Sequence, residues 1–242
     1  MLDATMATRQ RPKSAKPEAG APARQPRDAV RTRGKILNAG LREFAANGYS
    51  GASVEAIARR SGVAKGLVFH HFGTKEGLYL AVQMRMYERL RRRQNETRLE
   101  GLGPVEGMRR LVIDTFRGFR EMPWIIRLMN EENLHRARHI RGAEAIPALY
   151  NPLLAAIERL VAAGREQGLF RADVEPVGFY VALSGLGYFY QSNRYTLGTV
   201  LQVDLGEEPR IAAYEELIAD MVLAYLQGGG APFPTPPARD GG

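Results

Sequence analysis

The sequence predicts an all-α protein made of a three-helix helix-turn-helix headpiece and a larger C-terminal helical body. Apolar residues recur every three or four positions along most of the 242-residue chain, as on the buried face of a helix. No segment shows the apolar–polar alternation of a strand. Between residues 53 and 72 two short helical patterns meet at Gly62, which suits the left-handed backbone that ends a helix before a turn.

The formal net charge of +8 is concentrated in the N-terminal third. Residues 29–93 hold thirteen Lys and Arg against four Asp and Glu, whereas residues 94–242 hold fifteen against nineteen. A basic module beside a mildly acidic body indicates a polyanionic partner at one end. Cysteine is absent, which excludes disulfides and thiolate chemistry. With no signal-peptide-like run and no long apolar stretch, we expect a cytoplasmic protein without a membrane partner.

The first two headpiece helices follow a proline-rich stretch. Residues 1–27 carry four prolines among basic residues and no apolar period, which predicts a disordered basic arm. From about Asp28 to Asn47 a continuous apolar stripe predicts the first helix, which Asn47 and Gly48 end. Ser53 is suited to cap the second helix, because its hydroxyl can accept from a free backbone N–H.

The third helix has two faces of different chemistry. At about 100° per residue, Leu67, Val68 and Phe72 fall on the side that docks on the preceding helices. The opposite arc carries a cation, a glycine, an aromatic ring and an imidazole: Lys65, Gly66, Phe69 and His70. A glycine allows close approach, and a helix N-terminus favours phosphate. On this stretch alone, an ordinary helical corner with a solvated face is the alternative.

The body is divided by Gly and Pro into further helical patterns. These are predicted over residues 74–100, 105–120, from 123 onwards, 148–167, 175–191 and 210–227. A linker is predicted at residues 198–209 and a disordered Gly/Pro tail at residues 228–242. The last two helices carry enough apolar surface to form a four-helix interface with a second copy.

Four headpiece motifs follow one another in a specific order. They are Phe44-x-x-x-Gly48-Tyr49, Ser53-Val54-x-x-Ile57-Ala58, Ser61-Gly62-Val63-x-Lys65-Gly66 and Phe69-His70-His71-Phe72-x-x-Lys75-x-x-Leu78. Over residues 31–78 this pattern resembles the N-terminal domain of TetR-family transcriptional regulators. The resemblance implies a homodimeric, all-helical repressor that a small molecule releases from DNA. We therefore expect a DNA-binding domain at residues 28–75 and a ligand-binding and dimerisation domain at residues 76–227.

The resemblance also implies which residues contact operator DNA, mostly at its phosphates. Carried over position by position, these are Ser53, Lys65, Gly66, Phe69, His70, His71 and Lys75. Three residues depart from the family pattern. Ala52 replaces a frequent Thr, Ala64 replaces the Ser that caps the third helix, and Phe69 replaces a Tyr, so three hydroxyl contacts are lost. The helical wheel turns His71 partly toward the core, which makes His70 the better contact.

The resemblance places a ligand pocket in the body, where aromatic and polar side chains are candidates to line it. These are Phe116, Phe119, Trp124, Asn130, Tyr180, Ser184 and Tyr188, and ordinary core packing is the alternative for each. Glu131, His135 and His139 are four residues apart in turn and share one helical face, as metal ligands can. Such a row is more often a surface or interface row, so we expect no metal and no cofactor.

No P-loop, dinucleotide fingerprint or nucleophile elbow is present, so we expect no enzyme. The basic run from Arg89 to Arg93 is interpreted as a solvated helix face rather than a DNA contact. The sequence thus predicts a ligand-responsive transcription regulator whose partners are a double-stranded operator, a small-molecule effector and a second copy. The alternative is a nonspecific nucleic-acid-binding protein that uses the arm and headpiece as plain electrostatics.

Overall fold

A computed structural model of the chain describes residues 26–228, with backbone only at 26–27 and 148–153. Over this range the chain forms nine α-helices and no strand, so the all-α prediction is confirmed. The helices are α1 Pro26–Gly51, α2 Val54–Ser61, α3 Lys65–Phe72, α4 Lys75–Asn95, α5 Pro104–Glu121, α6 Pro123–Leu134, α7 Ala145–Glu166, α8 Pro176–Leu201 and α9 Glu208–Gln227. None of these described helices combines the length and hydropathy that crossing a bilayer requires. The predicted arm, apart from its last two residues, and nearly all of the predicted tail lie outside the described residues.

Local sequence signals set the ends of the headpiece helices. Gly48 bends α1 with φ 66° and ψ −178°, a backbone essentially restricted to glycine, and one more turn follows. Ser53 caps α2 by accepting from the Ala56 N–H at 3.0 Å. Gly62 ends α2 in the left-handed conformation, with φ 70° and ψ 32°. The predicted cap and turn are therefore present, and the helix end predicted at Asn47 and Gly48 is instead a break within α1, which continues to Gly51. As its residue type implies, Ala64 provides no side-chain cap for α3.

The fourth helix ends earlier than its sequence pattern suggests. We expected it to run to residue 100, but α4 ends at Asn95. Two residues later, the buried Thr97 hydroxyl donates to the Asp114 carboxylate on α5 at 2.7 Å. This tertiary contact turns the chain inward before the glycines that were expected to stop the helix. On the same helix Arg91 is buried, so the run Arg89 to Arg93 is not the uniformly solvated face that was predicted.

The eighth helix is ten residues longer than predicted and includes the first part of the expected linker. It continues to Leu201, and Gln202 then adopts a left-handed conformation that ends it. The extension is rich in small polar residues, which are weak helix formers on propensity alone. Here the Thr196 and Thr199 hydroxyls donate to carbonyls of Asn193 and Tyr195 in the preceding turn. The polar groups are thus satisfied within the helix, and the helix continues.

Two apolar clusters hold the helices together. The first joins the headpiece helices and α4 to α6, and includes Phe44, Ile57, Val68, Leu78, Ile125 and Leu128. The second lies between α5, α7, α8 and α9, and includes Met108, Phe116, Ile157, Leu183 and Ile218. Burying each such side chain contributes about 1.5–3 kcal/mol. Because the first cluster extends into α6, the orientation of the headpiece depends on where α6 lies.

Ion pairs fasten α5 to α9 along an antiparallel contact. Arg109 binds Glu216 and Asp220, Arg117 binds Glu215, and Arg120 binds Glu208. The Arg117–Glu215 ion pair is bidentate, with distances of 3.0 Å from Nε to Oε1 and 2.6 Å from Nη2 to Oε2. Its hydrogen bond raises the pKa of Arg117, and the Glu215 carboxylate is buried. Paired arginine–carboxylate geometry of this kind fixes direction as well as distance.

Candidate DNA interface and ligand-binding body

The exposed side of α3 carries the four residues that the helical wheel placed together. Lys65, Gly66, Phe69 and His70 are exposed, while Val68 on the opposite side is buried in the first cluster. A Cβ added at Gly66 would meet no atom within 4 Å, so the backbone there faces open space. His71 is half-buried, as the wheel indicated, and its ring lies beside Phe72. The face thus combines positive charge with an accessible backbone.

Lys65 is held by an acidic residue that sequence reasoning missed. Its ammonium donates to the carboxylate of Glu55 in the first turn of α2, and it also lies 5.7 Å from the centre of the Phe69 ring. The hydrogen bond from Lys65 holds the pKa of Glu55 below its ordinary value. Without DNA, the recognition helix therefore presents a lysine that already has an anionic partner. The two residues lie on different helices, so no periodicity within one helix reveals the pair.

The other predicted contact residues stand at helix starts beside α3. Lys75 begins α4, where its ammonium donates to the Ser50 carbonyl at 3.4 Å and lies 4.9 Å from the centre of the Tyr49 ring. The hydroxyl of Ser53 is occupied in capping α2. The structure therefore places the starts of α2 and α4 beside α3. The Ser50 carbonyl and the Tyr49 ring, near the end of α1, position the Lys75 ammonium.

A polar junction that the sequence did not reveal links the headpiece to α6. Glu131 on α6 accepts from the backbone N–H of Tyr49 at 2.6 Å, directly after the bend at Gly48. The His139 ring packs on the rings of Tyr49 and Tyr79, with centroids 4.4 Å and 4.9 Å apart. Burial and the nearby carboxylates raise the pKa of Tyr79, so its hydroxyl stays protonated. This junction ties the end of α1 to the body.

The predicted row of Glu131, His135 and His139 is not a single helical face. The prediction is wrong because α6 ends at Leu134, and left-handed backbone at Arg136 and Ala137 then redirects the chain. His135 contacts Glu131 at 3.2 Å, whereas the buried His139 binds the Glu132 carboxylate through its backbone N–H at 2.8 Å and Nδ1 at 3.0 Å. Across residues 26–228 no group of three His, Cys, Asp or Glu side chains is arranged to hold a metal.

The seven predicted ligand-lining residues fall in three places. Phe119 packs on Tyr188 with ring centroids 5.9 Å apart, and the Tyr188 hydroxyl donates to Asn130. Phe116 is fully buried against the rings of Tyr190 and Tyr214, and Tyr180 and Ser184 are half-buried on α8. Trp124 packs against the first apolar cluster and lines a cleft that α6 forms with α1 and α4. The body therefore brings together some, and not all, of the expected set.

Several buried polar atoms of the body have no hydrogen-bond partner in the described part of the chain. They include Oε1 of Gln83 and of Gln94 on α4, and Ser184 Oγ and Gln191 Nε2 on α8. Buried polar groups are nearly always paired, so each unpaired atom marks a place where water or a ligand is to be expected. Burial also raises the pKa of Tyr188, whose hydroxyl stays neutral and able to donate. Sequence reasoning identified Ser184 and Tyr188 and missed the three glutamines.

A helix-turn-helix corner with a cationic outer face, packed on a helical body, defines a DNA-binding regulator. The model of the family described as bacterial regulatory proteins, tetR family, matches residues 36–82. The model described as tetracyclin repressor-like, C-terminal domain, matches residues 104–222. A curated relative, the HTH-type transcriptional repressor NicS of Pseudomonas putida, is 30% identical over 199 residues, covering 82% of this chain and 94% of the relative. The chain belongs to the TetR family of transcriptional regulators, which are not enzymes.

Solved structures give the same architecture. One, described as the molecular basis for control of antibiotic production by bacterial hormones, is 26% identical with a TM-score of 0.58, and covers 82% of this chain and 99% of its own. The ketosteroid transcriptional regulator KstR2 of Mycobacterium tuberculosis is 18% identical with a TM-score of 0.59, over 81% of this chain and 95% of its own. At that identity, the likeness to KstR2 shows the fold alone.

Proposed function

We propose that this regulator is a repressor that binds a two-fold operator as a homodimer in the cytoplasm and leaves it when a small molecule binds in the body. The observation that carries the proposal is the exposed cationic face of α3, held outward by its buried apolar side. The repressor name of the P. putida relative supports the direction of control. A nonspecific nucleic-acid-binding protein is not favoured, because such a protein needs no ligand-binding body.

The recognition helix α3 would lie in the major groove, as the second helix of this motif does. Lys65 and Lys75 would bind phosphates on either side of the groove, and Gly66 would let the backbone come close. Ser53, Phe69 and His70 complete the surface, and His71 contributes least because it is half-buried. Specific operator and random duplex compared at equal salt test this arrangement. A specific regulator binds its operator about a thousandfold or more tighter, whereas a nonspecific binder does not distinguish them.

Two substitutions at the Lys65–Glu55 pair test the DNA contact with opposite expected signs. Lys65→Ala removes a phosphate contact and should weaken operator binding about tenfold. Glu55→Gln removes the carboxylate that competes for the same ammonium and should tighten binding by a small factor, because both groups are exposed. Fluorescence anisotropy with a labelled operator measures both, and circular dichroism checks the fold. If both variants bind like the wild type, Lys65 does not contact DNA.

The dimer interface is proposed on α8 and α9. Between these helices lies an apolar groove of about 510 Å³, lined in part by Phe189 and Met221. These two side chains, and Val181 and Leu217 on the same helices, are more than half exposed in the single chain. Two helices per copy suffice for a four-helix bundle across a two-fold axis. Phe189→Glu should yield a monomer in sedimentation velocity. Leu134→Glu, at a more exposed apolar position on α6, should leave a dimer. A dimeric Phe189→Glu protein would place the interface elsewhere.

The ligand site is proposed in the body near the unpaired polar atoms of α4 and α8. A ligand there changes DNA binding only if it prefers the conformation in which the headpieces are misplaced for the operator. Coupling of about 1–3 kcal/mol would weaken operator binding about 5- to 150-fold. Thermal-shift screening, followed by operator release, identifies such ligands. Ser184→Ala should reduce the response to a genuine effector, and an unchanged response would remove Ser184 from the site.

A further inference from the structure

A cleft at the headpiece–body junction is separate from both sites described so far. Residues of α1, α4 and α6 enclose a volume of about 510 Å³, with Leu41 on its apolar side. Its polar lining consists of Asn38, Arg42, Arg89 and Arg127, and Trp124 forms its aromatic wall. Arg89 lies fourteen residues after Lys75 on α4, about 21 Å along the helix axis. The Arg89 side of the cleft is therefore well separated from the start of α4.

The cleft carries three positive charges without a neutralising carboxylate. Within the described residues, none of the Arg42, Arg89 and Arg127 guanidinium groups lies within 4.0 Å of an acidic oxygen. Arg89 is also half-buried, and burial together with the charges of Arg85 and Arg92 lowers its pKa. Cations gathered in this way leave an unbalanced potential that attracts an anion. Other arginines of the body, such as Arg93 and Arg117, have carboxylate partners.

The aromatic wall and one arginine are already fixed in position. The guanidinium of Arg89 lies over the Trp124 ring, 5.6 Å from its centroid, and its Nη2 donates to Asn38 Oδ1 at 2.7 Å. Arg42 and Arg127 are exposed at the rim, one on the headpiece and one on the body. A planar ring can pack on the indole, while a carboxylate accepts paired hydrogen bonds from the rim arginines. The cleft thus offers an apolar aromatic surface and cationic groups, which suit a ligand with a planar apolar part and an anionic part.

We propose that this cleft binds an aromatic carboxylate, with the ring against Trp124 and the carboxylate between Arg42 and Arg127. A simple inorganic anion makes no use of the indole and Leu41, and an uncharged aromatic makes no use of the three arginines. The site is distinct from the interior of the body, where buried atoms without a hydrogen-bond partner include the uncharged amides of Gln83 and Gln191 and the hydroxyl of Ser184. Because its occupant contacts both α1 and α6, it fixes the orientation of the headpiece relative to the body and so affects DNA binding. That effect on DNA binding is the one part of the proposal that rests on the proposed function.

The single tryptophan of the 242-residue chain makes the cleft directly observable. We would titrate the full-length protein, without DNA, with benzoate, and follow Trp124 fluorescence with excitation selective for indole. Benzoate is expected to change the emission saturably. Cyclohexanecarboxylate, which lacks the aromatic ring, and benzamide, which lacks the charge, should each bind at least several-fold more weakly. Equal binding of benzamide, or no saturable change with benzoate, would overturn the proposal.

Charge-removing variants locate the bound anion. Arg42→Gln and Arg127→Gln should each weaken benzoate binding about tenfold, since a hydrogen bond to a charged group is lost. Arg165→Gln removes the same charge from an exposed site on α7 and should bind benzoate like the wild type. Lys65→Ala should also bind benzoate normally, which separates this site from the operator contact. Benzoate affinity unchanged in both rim variants would place the ligand outside the cleft and refute the assignment.

Discussion

Replacing Gly48 by alanine tests the polar junction between headpiece and body. Two costs add at this position. The backbone at φ 66° and ψ −178° lies in a region that is essentially restricted to glycine, and a side chain there costs about 1–3 kcal/mol. A Cβ would also lie 2.8–3.0 Å from the Glu131 carboxylate atoms. Displacing that carboxylate breaks its hydrogen bond with the Tyr49 N–H, worth about 1.5–3 kcal/mol for a charged acceptor.

The expected loss of unfolding free energy for Gly48→Ala is therefore about 2.5–6 kcal/mol, a drop of about 5–24 °C in melting temperature for a chain of this size. Gly62→Ala is the matched control. Gly62 also has positive φ, but a Cβ there meets nothing within 4 Å, so only about 1–2 kcal/mol is expected. Thermal and urea unfolding followed by circular dichroism measure both. Equal destabilisation of the two variants would refute the role of Glu131.

A double-mutant cycle isolates the contact itself. Glu131→Ala removes the carboxylate that a side chain at position 48 would displace. In the wild-type background this substitution should cost about 1.5–3 kcal/mol, and in the Gly48→Ala background much less, because the hydrogen bond is already broken there. Additive effects would mean that the strain at Gly48 is purely local to the backbone.

Two further predictions concern ion pairs of α5. Glu215→Gln removes the bidentate acceptor of Arg117 and should lower the free energy of unfolding in urea by about 1–2 kcal/mol. The loss stays modest because the Arg117 side chain is 43% exposed. An unchanged free energy of unfolding would show that the α5–α9 ion pairs are not stabilising. The second prediction concerns acid stability. Arg93 holds the pKa of Glu121 below its ordinary 4.5, so this pair stabilises the fold fully above pH 4.5 and is lost as pH falls through the lowered pKa. Glu121→Gln should flatten that part of the stability profile, measured by melts across this range, and an unchanged profile would contradict it.

The parts of the fold that the sequence predicted correctly depend on neighbours along the chain. The cap at Ser53, the turn at Gly62 and the outward arc of α3 each follow from residue type and helical spacing over a few positions. The ends of α4 and α8 did not follow in this way. Thr97 ends α4 through a contact with Asp114 on another helix, and the α8 extension satisfies its polar side chains internally. Propensity and spacing carry no information about such partners.

The same division applies to the candidate sites. Family resemblance supplied the residues of the DNA-facing surface, but not Glu55, because the Lys65–Glu55 pair depends on how α2 and α3 cross. The Glu131 contact with the Tyr49 N–H spans 82 residues and involves a backbone donor, which no side-chain pattern encodes. On sequence alone, Trp124 falls with the other aromatic side chains of the body as a candidate for the pocket lining. Which side of a helix meets which neighbour is decided only in the packed structure.

The ion pair between Lys65 and Glu55 in the free protein affects how the salt dependence of DNA binding is interpreted. A lysine that meets a phosphate normally leaves the duplex with one fewer condensed cation, which adds about −0.9 to the slope of log affinity against log salt. In the proposed complex the Lys65 ammonium would leave Glu55 for a phosphate, and the exposed carboxylate left behind would attract cations from solution in part. The number of cations released to solution is then smaller than the number of phosphates contacted. A salt titration of the proposed complex would then report fewer phosphate contacts than its headpieces make.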